Sequence, residues 1–267
     1  MFRWCSYCQS FLGEIEPRED FSLTHGVCTD CRDRLVRHDF IDYETIEPIK
    51  LFFSKIQTLS FAGKNLNKTE ILKEAKALKI KPSDLLAGIL QPILYEIGRL
   101  YNLDQMSIVY EHKFSAFIQD LIGEIRCDFL DNSALSEDGK VDVILSCANG
   151  NIHAFGVTFL ELCLREAGIS VEAIYPGVPS AQLVDYVSFM KPKVLGLSVS
   201  MLEQMEEVKN IAYLLNKDPG YAPYFLVGGF AIQKDMTPLK GINFMQGNAK
   251  DLVTLIQSKL SSIQLTA

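Results

Sequence analysis

No stretch of the chain approaches the roughly 20 uncharged, apolar residues that a membrane-spanning helix requires, so no bilayer crossing is expected. The first residues, Met1-Phe-Arg-Trp-Cys5, lack the longer apolar core of a secretory signal. Basic residues are in the minority, 26 Lys and Arg against 33 Asp and Glu, for a formal net charge of −7. That deficit argues against a broad nucleic-acid-binding surface, and direct nucleic-acid binding is not expected. The local basic cluster Arg32, Arg34, Arg37 and His38 reads as a solvated helix face. Internal repeats, low-complexity tracts and helix-turn-helix, kinase or receiver motifs are absent as well. What remains is ordinary for a globular protein, with 48% hydrophobic and 22% charged residues. At 267 residues the chain has length for two or three units with cores of their own. Seven cysteines without a secretory signal point to a reducing cytoplasm and to thiols used for metal binding or packing.

Composition changes twice along the chain. Residues 1–40 hold four of the seven cysteines in two pairs, with little periodicity. Residues 45–135 read as helical: Leu51, Phe52, Ile56 and Leu59 recur at helical spacing, as do Ile71, Leu72, Ala75 and Leu78. Pro82 opens a third helix through Leu85, Ile89, Ile93 and Ile97, with a kink expected at Pro92, and a fourth runs from Met106. Four amphipathic helices with short connections predict a four-helix bundle. Residues 139–267 alternate apolar strands (Val141–Ser146, Ser170–Tyr175, Val194–Ser198, Tyr224–Val227, Ile242–Met245) with helices. That alternation predicts an α/β domain with a five-stranded, flavodoxin-like (Rossmann-like) parallel sheet covered on both faces.

Cys5-x-x-Cys8 and Cys28-x-x-Cys31 are separated by 19 residues, the spacing of a four-thiolate, zinc-ribbon-like site. Four thiolates leave no open coordination position, so the expected role of zinc is structural, in a segment too short to hold itself together. Two dithiol redox switches or an iron site are the competing readings. His25 is near enough to replace one thiolate, but is expected to cap the turn before Gly26. Cys127, Cys147 and Cys163 lie in apolar settings and are expected to be small core residues.

Ligands of open α/β sheets lie outside the carboxyl ends of the strands, and the unusual residues of the last segment gather there. Asn151-Ile-His153-Ala-Phe-Gly156 follows the first strand, Ser198-Val-Ser200 the third and Gly228-Gly229 the fourth. This constellation resembles the B12-binding domain family, whose signature is Asp-x-His-x-x-Gly, Ser-x-Leu and Gly-Gly. The resemblance implies a cobalamin whose dimethylbenzimidazole tail leaves cobalt and enters the sheet core. It makes His153 the lower axial cobalt ligand, with the serine and glycine motifs lining the tail's slot. Asn151 stands where the family has Asp, a carboxylate that accepts from the far imidazole nitrogen; an amide oxygen accepts too, so weakening rather than loss follows. Ser200 stands where the family has Leu.

The helical segment resembles the lid of MerR-type B12 photoreceptor and sensor proteins. Gly98, Glu111 and His112 match in spacing, Tyr101 replaces that family's Trp, and Asn102 replaces the His that binds cobalt after illumination. The light-driven bis-histidine state is therefore not expected unless His112 supplies the second nitrogen. Together the resemblances imply a non-enzymatic cytoplasmic sensor that holds adenosyl-, methyl- or hydroxocobalamin between lid and sheet. Its output would pass to a signalling or transcriptional protein partner, with homo-oligomerisation open. Haem or a bilin on the same scaffold is one alternative. A corrinoid subunit of a methyltransferase system is another, although such bundles usually carry Pro-Glu in place of Glu-His and lack the cysteine segment. That segment resembles a short cysteine module found beside sensor domains of bacterial signalling kinases.

Overall fold

The computed structural model describes residues 1–17, 19–39, 43, 45–130, 141–151, 154–218, 220–229, 231–232, 239–245 and 249–264. The chain divides into two compact units, Met1–Cys127 and Asp128–Ala267. No described helix is long and apolar enough to cross a membrane.

The first unit opens with three short strands, β1 (Phe2–Cys5), β2 (Phe11–Glu14) and β3 (Leu23–Gly26), followed by helix α1 (Thr29–Val36). β1 lies in the middle, antiparallel to β2 and parallel to β3. Helix α2 (Glu47–Phe61) buries Ile49, Phe52, Phe53 and Ile56 along one stripe. Asn67 starts α3 (Lys68–Ala77) by accepting the Glu70 backbone N–H on its side chain. Pro82 opens α4 (Pro82–Leu85), which runs on into α5 (Gln91–Asn102); α6 (Ile108–Leu130) follows. Lys55 of α2 pairs with Glu70 and Glu74 of α3, and Lys68 of α3 with Glu124 of α6.

The break expected at Pro92 is a π-helical turn, Leu86–Leu90, between α4 and α5. The Gln91 N–H donates to the Leu86 carbonyl, one residue beyond the α-helical partner. Proline brings no N–H to its own position, and a wider turn just before it is one of the few ways a helix absorbs that loss. All five residues of the turn are buried, and the amino-terminal sheet packs on them. A Cβ on Gly88 would lie 2.3 Å from Trp4 Cζ2 and 2.9 Å from Phe11 Cδ2. The cysteine-rich segment and the helices therefore share one core. We predict that Gly88→Ala, which drives a methyl into the Trp4 ring, destabilises this unit by about 1–3 kcal/mol. Thermal unfolding against wild type checks this.

The second unit is an open sheet of five parallel strands, β4 (Val143–Cys147), β5 (Val171–Ile174), β6 (Val194–Ser198), β7 (Tyr224–Gly228) and β8 (Asn243–Phe244). Their order is β5-β4-β6-β7-β8, the doubly wound flavodoxin-like order. Helices α7 (Phe155–Glu166), α8 (Ser180–Met190), α9 (Met205–Leu215) and α10 (Ala249–Gln264) complete it. Strand residues alternate between two cores. Ile144, Leu195, Leu197, Phe225 and Val227 pack with Leu183, Val187, Val208 and Ile211 of α8 and α9. Val143, Leu145, Val194 and Leu226 pack with Val157 and Leu164 of α7 and Ile256 of α10. Burial on both faces is why these strands read as continuous apolar runs.

Candidate functional site

Parallel register carries the three sequence motifs to one edge of the sheet. Cys147 is paired with Ser198 across β4 and β6, and Ser198 with Gly228 across β6 and β7, so the three stand in one row at the carboxyl ends. The row continues into tight backbone. The Ala148 N–H donates to the Ser198 carbonyl, and the Val199 N–H to the Gly228 carbonyl. Gly229 has φ +116, and a Cβ there would lie 2.4 Å from the Val199 carbonyl oxygen, so only glycine fits this crossing. Gly156, in the first turn of α7, looks across at Ser198: a Cβ there would be 3.6 Å from Ser198 Oγ.

Asn151 ties these ends together. It is 1% exposed. Its Nδ2 donates to the Ser198 carbonyl (3.3 Å) and to Ser200 Oγ (3.0 Å), while its backbone carbonyl accepts from the Gly177 N–H after β5. The Ser198 carbonyl can only accept, so the amide nitrogen must face it, and Oδ1 is the acceptor end of the side chain. A carboxylate in this place would set oxygen against the Ser198 carbonyl, which gives a physical reason for Asn in this chain. His153, two residues further on, lies outside the described residues. Cys147 is fully buried, and burial pushes its thiol up to about 11, so it is a neutral, apolar wall at the row's end.

The residues matched on the helical unit lie on α5 and α6. Tyr101, near the end of α5, is exposed. On α6 the Glu111 carboxylate lies 2.6 Å from His112 Nδ1 through one oxygen and accepts from Ser115 Oγ at 2.6 Å through the other. The His112 side chain is 73% exposed, so this is a contact on the solvent side of α6 that leaves the other ring nitrogen open. Ser115 was not foreseen in the sequence, although its place four residues after Glu111, one helical turn on, is the signal that would have found it.

The four cysteines of the amino-terminal module come together: the sulfurs of Cys5, Cys8, Cys28 and Cys31 all lie within 4.8 Å of one another. A tetrahedron of metal–sulfur bonds of ~2.3 Å has edges of roughly 3.8 Å, and Cys8 Sγ and Cys28 Sγ are 3.7 Å apart. Burial raises the Cys5 thiol, but N–H donors from Cys8, Cys28 and Tyr7 outweigh it and bring it down to about 7. Burial and then the neighbouring thiols push Cys31 far up, and burial also raises Cys28. Without a cation the set cannot be fully ionised; a divalent ion that draws off the protons fits both geometry and chemistry. His25 is exposed on β3 and is not part of this cluster. Cys127, expected in the core, is exposed, whereas Cys147 is buried and Cys163 partly so.

Comparison with known proteins supplies the family. Residues 141–253 match the B12 binding domain family, and residues 62–126 match a second family also described as a B12 binding domain. No curated protein matches the chain. Among solved structures, the monomethylamine corrinoid protein of Methanosarcina barkeri superposes with a TM-score of 0.62 at 17% identity, over 78% of this chain and 96% of that one. The methanol:cobalamin methyltransferase complex MtaBC of the same organism gives a TM-score of 0.41 at 20% identity, over 79% and 80% of the respective chains. A cobalamin-binding protein from Desulfitobacterium hafniense DCB-2 gives 0.39 at 14% identity, over 78% and 98%. The α/β unit and the helical unit thus each carry a B12-binding domain, and the cofactor these domains indicate is a corrinoid.

Proposed function

We propose that this chain, with a B12-binding domain in each of its two units, is the corrinoid-carrying member of a methyl-transfer system, acting on a group that separate partner enzymes load and remove. The observation that carries the reading is the pairing of a helical with an α/β B12-binding domain in a fold that spans 96% of the Methanosarcina barkeri monomethylamine corrinoid protein. A bound corrinoid supplies a cobalt that can hold and release an alkyl group.

The chain's own residues fill defined places in this reading. His153 would hold the cobalt through one imidazole nitrogen, with Asn151 Oδ1 accepting from the other, as the family signature implies. Ser198, Ser200, Gly156, Gly228 and Gly229 bound the slot for the nucleotide tail. Tyr101, Glu111 and His112 would be the residues that the helical unit offers to the corrinoid, with the Glu111 carboxylate bonded to His112 Nδ1 and Ser115 Oγ. Zinc on Cys5, Cys8, Cys28 and Cys31 is structural, stabilising the sheet that packs against Gly88. The natural partner is a methyltransferase.

A cobalamin sensor with a signalling or transcriptional partner is the second reading, favoured by the four-cysteine cluster and the Glu111–His112 pair. Tyr101 and Asn102, in place of the photoreceptors' Trp and His, weigh against a light response. A carrier and a light-driven sensor separate in one experiment: analytical ultracentrifugation of the full chain with bound adenosylcobalamin, in the dark and after illumination. A carrier keeps the same sedimentation coefficient in both. A light-dependent change in association state would replace the carrier reading with the sensor.

A further inference from the structure

Gln204 occupies a short 3₁₀ turn, Leu202–Gln204, between β6 and α9, and only 7% of it is exposed. Its Oε1 accepts the backbone N–H groups of Ser200 (2.9 Å) and Met201 (3.2 Å), clamping the turn that follows Ser198. The Nε2 of the same carboxamide is buried and has no hydrogen-bond partner among the described residues. Oxygen and nitrogen share one carbon, so this donor lies at the same turn as the clamp. Through Ser200, whose Oγ bonds the Asn151 amide, Gln204 joins the set that binds the ends of β4 and β6 together. A buried N–H without an acceptor forfeits its full hydration, and such groups are few in native proteins and call for an explanation, a water, an ion or a ligand that supplies the acceptor among them.

We infer that Gln204 is a binding residue for the nucleotide tail of the corrinoid, its Nε2 donating to an acceptor oxygen of that tail while Oε1 holds the turn. This rests on the corrinoid reading above and goes beyond it, since no sequence motif marks Gln204. The depth of the residue selects the part of the ligand. A corrin ring is a broad plate whose amides lie on its rim, and it meets side chains at a surface. A side chain this buried is reached by a slender group inserted between strand ends. The tail's phosphodiester and ribose oxygens are acceptors of the required kind. Gly156, looking across at Ser198 Oγ, keeps Cβ atoms away from the same strand end.

The test uses the full chain with cobalamin and with cobinamide, which has the corrin ring but no nucleotide tail. Gln204→Glu keeps acceptor oxygens for the Ser200 and Met201 N–H groups and removes the amide donor. The expected result is a cobalamin Kd raised by about tenfold or more, with the cobinamide Kd changed by less than roughly twofold. No change for either ligand overturns the inference and assigns the donor to water. Equal weakening of both also overturns it, as the mark of a general structural role. If Gln204→Glu does not fold, the side-chain amide resonances of Gln204 in the wild-type chain give the answer. They are expected to shift with bound cobalamin and stay in place with bound cobinamide; no shift with bound cobalamin overturns the inference. A wild-type chain that binds neither corrinoid overturns the corrinoid reading and this inference with it, whereas normal binding with an insensitive Gln204 overturns this inference alone.

Discussion

His153→Ala is expected to leave bound cobalamin without a protein nitrogen below cobalt, and to weaken binding by about 100-fold or more. The estimate follows from ranking effects. Removing a partner that merely orients a metal-bound histidine costs ~10–100-fold in metal affinity or activity, and loss of the ligand itself exceeds that. Asn151→Ala should fall inside the lower range. Its loss removes the acceptor proposed for the imidazole and also the bonds to Ser198 and Ser200. The measurement is an absorption titration of both variants with hydroxocobalamin, with EPR of the cobalt(II) form reporting axial nitrogen directly. Coupling to a protein nitrogen that survives in His153→Ala, told from the cofactor's own dimethylbenzimidazole nitrogen by isotopic nitrogen labelling of the chain, would remove that residue from cobalt and turn attention to another imidazole.

The second large effect concerns the amino-terminal module. Purified chain is expected to carry one zinc, and its removal by a chelator, or Cys31→Ser, is expected to melt the three-stranded sheet. Structural zinc sites in small peptides contribute ~10–16 kcal/mol of apparent folding free energy. A domain's whole stability is only about 5–15 kcal/mol, so even a fraction of that contribution decides whether the module folds. The single tryptophan is a built-in reporter, since Trp4 is fully buried against Phe11 and Gly88. Zinc loss should shift its emission to the red and lower the thermal midpoint of the first unit by roughly ten degrees or more. Metal-free protein with buried-type emission would show instead that the sheet is held by its packing on the π-helical turn alone.

Much of this fold is legible in the sequence, for reasons that particular elements make plain. The strands of the parallel sheet stand out because both faces are buried, so Val143–Cys147 and Val194–Ser198 are apolar nearly throughout. The strand-end motifs declare themselves because each needs a residue type with little substitute: glycine where φ is +116 at Gly229, and a small polar group at Ser198. Contacts that join distant segments leave no such trace. Trp4 on Gly88 spans more than eighty positions, and nothing in the periodicity of the third helix distinguishes a π-helical turn from a simple kink at Pro92. Gln204 leaves no trace in the sequence for a related reason: one bonded and one unbonded end of a buried amide are visible only in three dimensions. The apolar neighbours of Cys127 suggest a core position, but it projects from an exposed side of α6, where sequence neighbours a residue away face elsewhere.

The central claim is that the chain holds a corrinoid, and the most direct measurement is an absorption spectrum of the purified protein. The spectrum is recorded in the dark during titration with hydroxo-, methyl- and adenosylcobalamin, and separately with haemin. The account predicts saturable uptake of cobalamin with the dimethylbenzimidazole displaced from cobalt and an imidazole in its place. Uptake of haemin without any cobalamin, or of neither, would contradict it.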